Sequence, residues 1–112
     1  MLTLESLREF GADVDDGLRR CMNMPNFYLG LFRHLQGDTR VEELQAALQA
    51  HDLDKAFGIA HDLKGAYGNL ALTPLYNPVN EMTELLRART DTDYTALMDE
   101  ILAQKKKLDA LL

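Results

Sequence analysis

The sequence has few of the residues that form disulfides and few of the basic residues that attract an anionic partner. It has one cysteine, Cys21, which excludes an internal disulfide, and it has no tryptophan. Its 12 lysines and arginines are outnumbered by 18 aspartates and glutamates, for a net charge of −6. No large basic patch is available, so we expect neither nucleic acid nor a membrane as partner. We find no signal peptide and no apolar run of transmembrane length, and therefore expect a cytoplasmic protein.

The composition favours one folded domain over residues 1–112. With 46% apolar residues the chain can build a core, and its length fits a single domain. Strand signals are weak, whereas apolar residues recur at the three- and four-residue steps of a helix. We predict an all-α fold, an up-and-down four-helix bundle over residues 25–112. Additional short helices in residues 1–24 are expected to pack over one end or side of it.

Capping residues and apolar spacing place the helices. Asp52 is the expected cap of a long central helix, and Thr73 is the expected cap of the next one, with Pro74 in its first position. The short links between the longer helices predict antiparallel neighbours. The predicted helices are Leu4 to Phe10, Val14 to Met22, Pro25 to about Gln36, Thr39 to His51, Asp52 to Leu72, Thr73 to about Arg89, and Tyr94 to Leu111.

A break is predicted at Gly37 and Asp38. If one helix ran through this point, Val41 and the apolar residues after it would lie about half a turn away from Leu31 and Leu35. A small domain has no core on both sides of one helix. We therefore expect the chain to turn here, with Asp38 as a cap. A long helix that is only kinked is the alternative.

The central helix has an unusual outer face. At about 100° per residue, His61 falls opposite the apolar side, on a face that also carries Gly58, Gly65 and Gly68. Lys64 lies at the edge of this face. Each glycine costs about 1 kcal/mol relative to alanine inside a helix. We favour one physical reason for these glycines: they leave the surface around His61 bare, so that another molecule can approach it closely. For Gly58, ordinary packing is an equally good explanation.

An exposed histidine in this setting suits phosphoryl transfer. A neutral imidazole nitrogen is a nucleophile that can take up a phosphoryl group and pass it on. Lys64 follows His61 by three residues, so its ammonium lies where it can meet the negative charge of that group. Gly65 leaves room for the aspartate of a donor or acceptor protein to approach in line. Such transfer depends mainly on positioning and electrostatics.

These residues resemble a known signature. His61-Asp62-Leu63-Lys64-Gly65, followed by Asn69-Leu70, is similar to the phosphoacceptor motif of histidine phosphotransfer (HPt) domains, and the resemblance extends roughly from Phe27 to Leu108. It implies a helical-bundle carrier in a multistep two-component phosphorelay. His61 would be the phosphorylated residue, Lys64 would stabilise the phosphoryl group, and Gly65 and Gly68 would give clearance.

The resemblance also implies the surroundings of the site. Asn69 of the motif is counted with the docking surface, together with Gly58 of the same bare face and with Asp62, which we treat as a departure that could tune the choice of partner. Some family members carry a glutamine on the next helix that faces the histidine, and by counting its place falls on Thr83. Arg87, one turn further, is a candidate for additional positive charge. From the residues alone, Thr83 and Arg87 are more simply interpreted as surface residues than as site residues.

The implied function is that of a carrier rather than an enzyme. His61 would accept a phosphoryl group from a receiver-domain aspartate and transfer it to another, with response regulators or a hybrid histidine kinase as partners. The chain has no Gly-rich nucleotide loop, so no ATP site and no cofactor are expected, and Mg²⁺ would come only with the receiver. We expect a monomer.

Two other classes remain as alternatives. The first is a phosphorylation-independent adaptor that binds a partner through the His61 and Gly65 face. The second is a bundle that binds a metal or a small ligand. Its candidate metal ligands are His51, Asp54 and His61. This alternative is disfavoured because Asp54 and His61 lie about 10 Å apart along the helix, and because inward-facing His/Glu pairs are lacking.

Overall fold

The computed structural model describes residues 1–112, and every element in it is a helix. The all-α prediction is therefore confirmed. The helices are α1 (Leu4–Phe10), α2 (Val14–Arg20), α3 (Pro25–Leu31), a 3₁₀ turn (Phe32–Leu35), α4 (Arg40–Gln49), α5 (Leu53–Asn69), α6 (Thr73–Arg87) and α7 (Thr95–Asp109). None of them combines the length and the apolar composition that a membrane span requires.

The four longest helices, α4 to α7, form the bundle. Helix α5 packs between α4 and α6, and α7 closes the ring by packing against both α4 and α6. The short links between them make consecutive helices antiparallel. Their inward faces share one apolar core, to which α3 and the 3₁₀ turn add aromatic rings. Its largest fully buried side chains include Tyr28, Phe32, Leu44, Leu63, Tyr67, Leu75, Met82, Ile101 and Leu108.

The predicted break before α4 is present. The 3₁₀ turn ends at Leu35, and Gly37 then adopts a left-handed φ of +73°, which reverses the chain. Asp38 Oδ1 accepts a hydrogen bond from the backbone N–H of Arg40 at 2.9 Å, and the Arg40 guanidinium donates to the same carboxylate. Thr39 occupies the cap position of α4 and makes no side-chain capping bond, so Asp38 was wrongly predicted as the cap, although its carboxylate does bind the first backbone N–H of the helix. The alternative of a kinked continuous helix is also wrong.

Several helices end earlier than predicted. The ends predicted at Met22, His51, Leu72 and Arg89 lie instead at Arg20, Gln49, Asn69 and Arg87. A residue in the left-handed region follows each of these true ends: Met22, His51, Ala71 and Arg89, with φ between +53° and +56°. The usual signal for such an end is glycine, and none of these residues is one.

The junction between α5 and α6 also differs from the prediction. The backbone N–H of Leu72 donates to the carbonyl of Tyr67 at 2.9 Å, which closes α5 and turns Leu70 and Leu72 into the core. Helix α6 then begins at Thr73, with Leu72 in the cap position and no side-chain capping bond. Thr73 was therefore wrongly predicted as the cap, although Pro74 does lie in the first turn.

The N-terminal helices pack beside the C-terminal end of α5. The backbone N–H of Asp13 donates to the carbonyl of Ala71 at 2.9 Å, and the buried Tyr28 hydroxyl donates to the carbonyl of Leu70 at 2.7 Å. Gly17 allows the close approach, since a Cβ there would lie 2.5 Å from the Tyr28 ring. These contacts hold α2 next to the outer face of α5.

Candidate functional site

His61 lies on the outer face of α5, as the helical spacing predicts. Its side chain is exposed, whereas Ala60, Leu63 and Tyr67 of the same helix are buried in the core. Because α4 and α6 pack against that apolar side, the helix cannot rotate without exposing it. The fold therefore fixes His61 in contact with solvent.

Two of the three glycines leave the helix surface bare. A Cβ built on Gly58 or on Gly65 would meet nothing within 4 Å. Packing therefore does not explain Gly58, which was the alternative left open by the sequence. Gly58 precedes His61 by three residues and Gly65 follows it by four, so open surface lies on both sides of the imidazole.

Gly68 has a different role from the one predicted. A Cβ at this position would lie 3.1 Å from the ring of Tyr76, which reaches over from α6. The space is therefore filled by an aromatic ring of the same chain, and Gly68 gives no clearance to a partner. This contact could not be predicted from the sequence, because only the packing of α6 on α5 brings Tyr76 and Gly68 together.

A shallow groove beside His61 has a volume of about 510 Å³. Three elements line it. Helix α2 and its cap supply Asp13, Asp16 and Arg20; α5 and the turn after it supply His61, Lys64, Gly65, Tyr67, Gly68, Asn69 and Ala71; α6 supplies Thr73 and Tyr76. Sequence reasoning missed the contribution of α2, since nothing in the spacing of residues 13–20 indicates which part of the bundle they reach.

Lys64 is held in an ion pair. Its ammonium donates to Glu84 Oε1 on α6 at 3.4 Å, and the other oxygen of Glu84 accepts from Arg87 Nε at 3.3 Å. The hydrogen bond from Lys64 holds the pKa of Glu84 below its usual range. Sequence reasoning missed Glu84, which lies on another helix and is 20 residues from Lys64 in the chain.

Phe57 connects Arg87 to His61. The Phe57 ring lies one turn before His61 on α5, with 5.8 Å between the two ring centroids. The Arg87 guanidinium stands 5.1 Å from the centre of the same ring, within the range of a cation–π contact. Arg87 therefore lies near the site by way of Phe57, and its accessory role stays a prediction.

A family model of the Hpt domain matches residues 29–112. The chain belongs to this family. Hpt domains are phosphocarrier modules of two-component phosphorelays rather than enzymes, and they interact with receiver domains and histidine kinases. Separate searches of curated proteins and of solved structures found no significant match to the chain.

The family match also divides the groove. His61, Lys64 and Gly65 lie within the matched residues, as do Glu84 and Arg87 on α6. The wall formed by α2 lies before the match, which begins at residue 29. One side of the groove is therefore formed by α2, which lies outside the part of the chain that the family model matches.

Thr83 does not face His61. Its side chain is fully buried, and its hydroxyl donates to the carbonyl of Val79 one turn earlier at 2.7 Å. Met82 and Leu86 are buried beside it, so this face of α6 belongs to the core. Both the accessory role and the surface position considered for Thr83 are wrong. The next residue, Glu84, is the one that reaches the edge of the site.

The remaining candidates lie at the surface. Asp62 is exposed immediately after His61, and Asn69 is exposed at the end of α5, where it lines the groove. Asp54, the carboxylate considered for a metal site, accepts a hydrogen bond from Arg89, which follows α6. No three His, Cys, Asp or Glu side chains are grouped so that they could hold a metal ion.

Proposed function

We propose that this Hpt domain carries a phosphoryl group on His61 between two receiver domains. The observation that supports this best is the exposure of His61 on α5 between Gly58 and Gly65, two positions where an added Cβ would meet nothing. A receiver must bring a phosphorylated aspartate within bonding distance of the imidazole. Bare backbone on both sides of His61 permits that approach.

The chemical step needs only a nucleophile and a counter-charge. The outer imidazole nitrogen of His61, Nε2, attacks phosphorus while the bond to the aspartyl oxygen breaks, and the receiver carboxylate leaves with that electron pair. The proton on Nδ1 stays in place. Transfer to the second receiver is the reverse of this step. Lys64 stabilises the phosphoryl oxygens once it turns from Glu84 toward them.

The groove is the proposed docking surface. Gly65 and Asn69 contribute its floor, Asp62 lies beside His61, and α2 forms a wall with Asp13, Asp16 and Arg20 (the last two paired at 3.0 Å). Partners are response-regulator receiver domains, a hybrid histidine kinase or both. Any Mg²⁺ enters with the receiver, and no cofactor belongs to this chain. A monomeric state and a cytoplasmic location remain predictions.

Transfer between labelled proteins tests this function. Receiver domains from the same genome are phosphorylated with ³²P-labelled acetyl phosphate and mixed with the wild type, with His61→Gln and with His34→Gln. His34 is an exposed histidine in the 3₁₀ turn, so its variant is the matched control. Label should move to the wild type and to His34→Gln, and should not move to His61→Gln.

The same experiment separates the carrier from an adaptor. If a receiver binds the wild type and His61→Gln equally while no label moves to either, the carrier function is contradicted. A phosphorylation-independent adaptor that uses the His61 and Gly65 face is then the better description. Equal labelling of the wild type and His61→Gln would show that another residue accepts the phosphoryl group.

A further inference from the structure

Glu84 pairs with two cations near His61, Lys64 of α5 and Arg87 of α6. One of its carboxylate oxygens accepts from Lys64 and the other from Arg87. Lys64 is one turn after His61, and Phe57, which lies under Arg87, is one turn before it. The ion pairs of Glu84 therefore span the length of α5 that carries His61.

Stability alone gives little reason for this arrangement. The side chains of Glu84 and Arg87 are about half exposed, and exposed ion pairs contribute little to the free energy of unfolding. Lys64 is less exposed, at 28%, so the pair restricts where its ammonium can go. The main effect of Glu84 is thus to form ion pairs with the two cations, Lys64 and Arg87, at the edge of the site.

A phosphoryl group on His61 would compete for the same cations. It adds about two negative charges and three acceptor oxygens. Lys64 lies three residues from His61 on one helix face, and helical side chains lean toward the N-terminus, which brings its ammonium toward the imidazole. Glu84 and the phosphoryl group would then be like charges that share one neighbouring lysine.

We propose that Glu84 is the resident counter-anion of the phosphoryl site. It holds Lys64 and Arg87 while His61 is free, and releases Lys64 to the phosphoryl oxygens when His61 is phosphorylated. This inference rests on the proposed function of His61. Glu84 is a positioning residue, because it acts through Lys64 and touches no reacting atom. Its consequence is a phosphohistidine that is less stable, and more easily passed on, than Lys64 alone would make it.

The test uses a small phosphoryl donor, so that no receiver is required. Phosphoramidate transfers its phosphoryl group to the imidazole nitrogen: the N–P bond of the donor breaks, and ammonia leaves with the imidazole proton. His34 and His51 are also exposed, so all variants are made in a His34→Gln, His51→Asn background. The half-life of phosphohistidine after removal of the donor is then followed by ³¹P NMR.

The variants are chosen to separate charge from position. Glu84→Gln keeps the shape of the side chain and removes its charge. Glu100→Gln removes the same charge on α7, which packs against α4 and α6, and serves as the matched control. We expect the half-life to rise about twofold to fivefold in Glu84→Gln and to stay unchanged in Glu100→Gln. With Lys64→Met added, the gain from Glu84→Gln should shrink.

Two outcomes would overturn the inference. Equal half-lives in Glu84→Gln and Glu100→Gln would show that Glu84 does not act on the site. If Glu84→Gln lengthened the half-life by the same factor with and without Lys64, Glu84 would act by repelling the phosphoryl group directly and not by pairing with Lys64. If the half-lives respond as expected but no receiver exchanges phosphoryl groups with His61, the counter-anion stands and the carrier function fails.

Discussion

The ring of Tyr76 packs against Gly68 so closely that a Cβ on residue 68 would lie 3.1 Å from it. Gly65, less than one turn earlier on the same helix, has no neighbour within 4 Å of the corresponding position. The two glycines therefore serve different purposes. One admits a side chain of the same molecule, and the other leaves the helix open to a partner.

A bulky residue at position 65 should separate docking from folding. Gly65→Leu should leave the thermal unfolding temperature the same or higher, since leucine favours a helix by somewhat less than 1 kcal/mol over glycine. It should block receiver docking, because the side chain would occupy the bare surface. Circular dichroism and receiver titration check the two parts. Gly65→Ala is the control and should retain transfer, and a loss of helical signal in Gly65→Leu would contradict the open position.

The Tyr28 hydroxyl should be worth more than an ordinary surface hydrogen bond. Burial raises the pKa of Tyr28 to about 12, so the group stays a donor to the carbonyl of Leu70 at all physiological pH values. Tyr28→Phe leaves that carbonyl without its donor and should lower the free energy of unfolding by about 1–3 kcal/mol. Urea unfolding measures the loss. Tyr94→Phe, whose hydroxyl is less buried, is the control and should cost less.

The ion pair between Asp38 and Arg40 should make stability depend on pH. Burial raises the pKa of Asp38, but the hydrogen bonds from Arg40 lower it by a larger amount. The net pKa is below its ordinary value, so the folded state favours the carboxylate. The contribution is complete above the unfolded pKa of about 3.9 and is lost as pH falls through the folded value. Urea unfolding from pH 7 to pH 3 should show stability decreasing at the acid end.

Removal of the arginine tests the same pair from the other side. Arg40→Met leaves a largely buried carboxylate without its cation and should lower stability at pH 7 by about 2 kcal/mol. The deficit should become smaller toward pH 3, because the wild type begins to lose the contribution of the ion pair there, while Asp38 of the variant, without Arg40 beside it, takes up a proton more readily. A deficit of constant size across this range would mean that lost packing of the arginine side chain, rather than lost charge pairing, is responsible.

Lys64 should affect both phosphoryl transfer at His61 and the pKa of Glu84. In Lys64→Ala we expect a shorter-lived phosphohistidine or slower transfer, because the phosphoryl oxygens lose their nearest ammonium. The pKa of Glu84, lowered by the hydrogen bond from Lys64, should rise toward its ordinary value. Carbon-13 NMR of the carboxyl group follows that titration. Lys55→Ala, at an exposed lysine of the same helix that precedes Lys64 by nine residues, is the control and should change neither quantity.

The sequence predicted what depends on one helix at a time. The 100° spacing was enough to place His61, Gly58 and Gly65 on an exposed face, because α5 is regular and its buried side is clearly apolar. The break at Gly37 followed from two apolar sets that no single helix could bury together. These inferences needed no knowledge of the neighbouring helices.

What the sequence did not predict depends on how helices meet. Counting residues placed Thr83 opposite His61, but the rotation of α6 about its own axis turns Thr83 into the core and brings Glu84 to the site. The Tyr76 ring contacts Gly68 across the turn between α5 and α6. The α2 wall of the groove lies beside α5, which is far from α2 in the chain. Helix ends were overestimated because Ala71 and His51 adopt left-handed conformations for which glycine is the usual signal.

The burial of Cys21 makes the surface of this protein free of competing thiols. Its side chain is only 3% exposed, and it is the single cysteine of the chain. A cysteine introduced at Glu100, an exposed position on α7 away from the His61 face, would therefore be the one site that a maleimide dye reaches quickly. Because the complex tumbles more slowly than the free protein, the dye would report the arrival of a receiver by fluorescence anisotropy, in real time and without radioactivity.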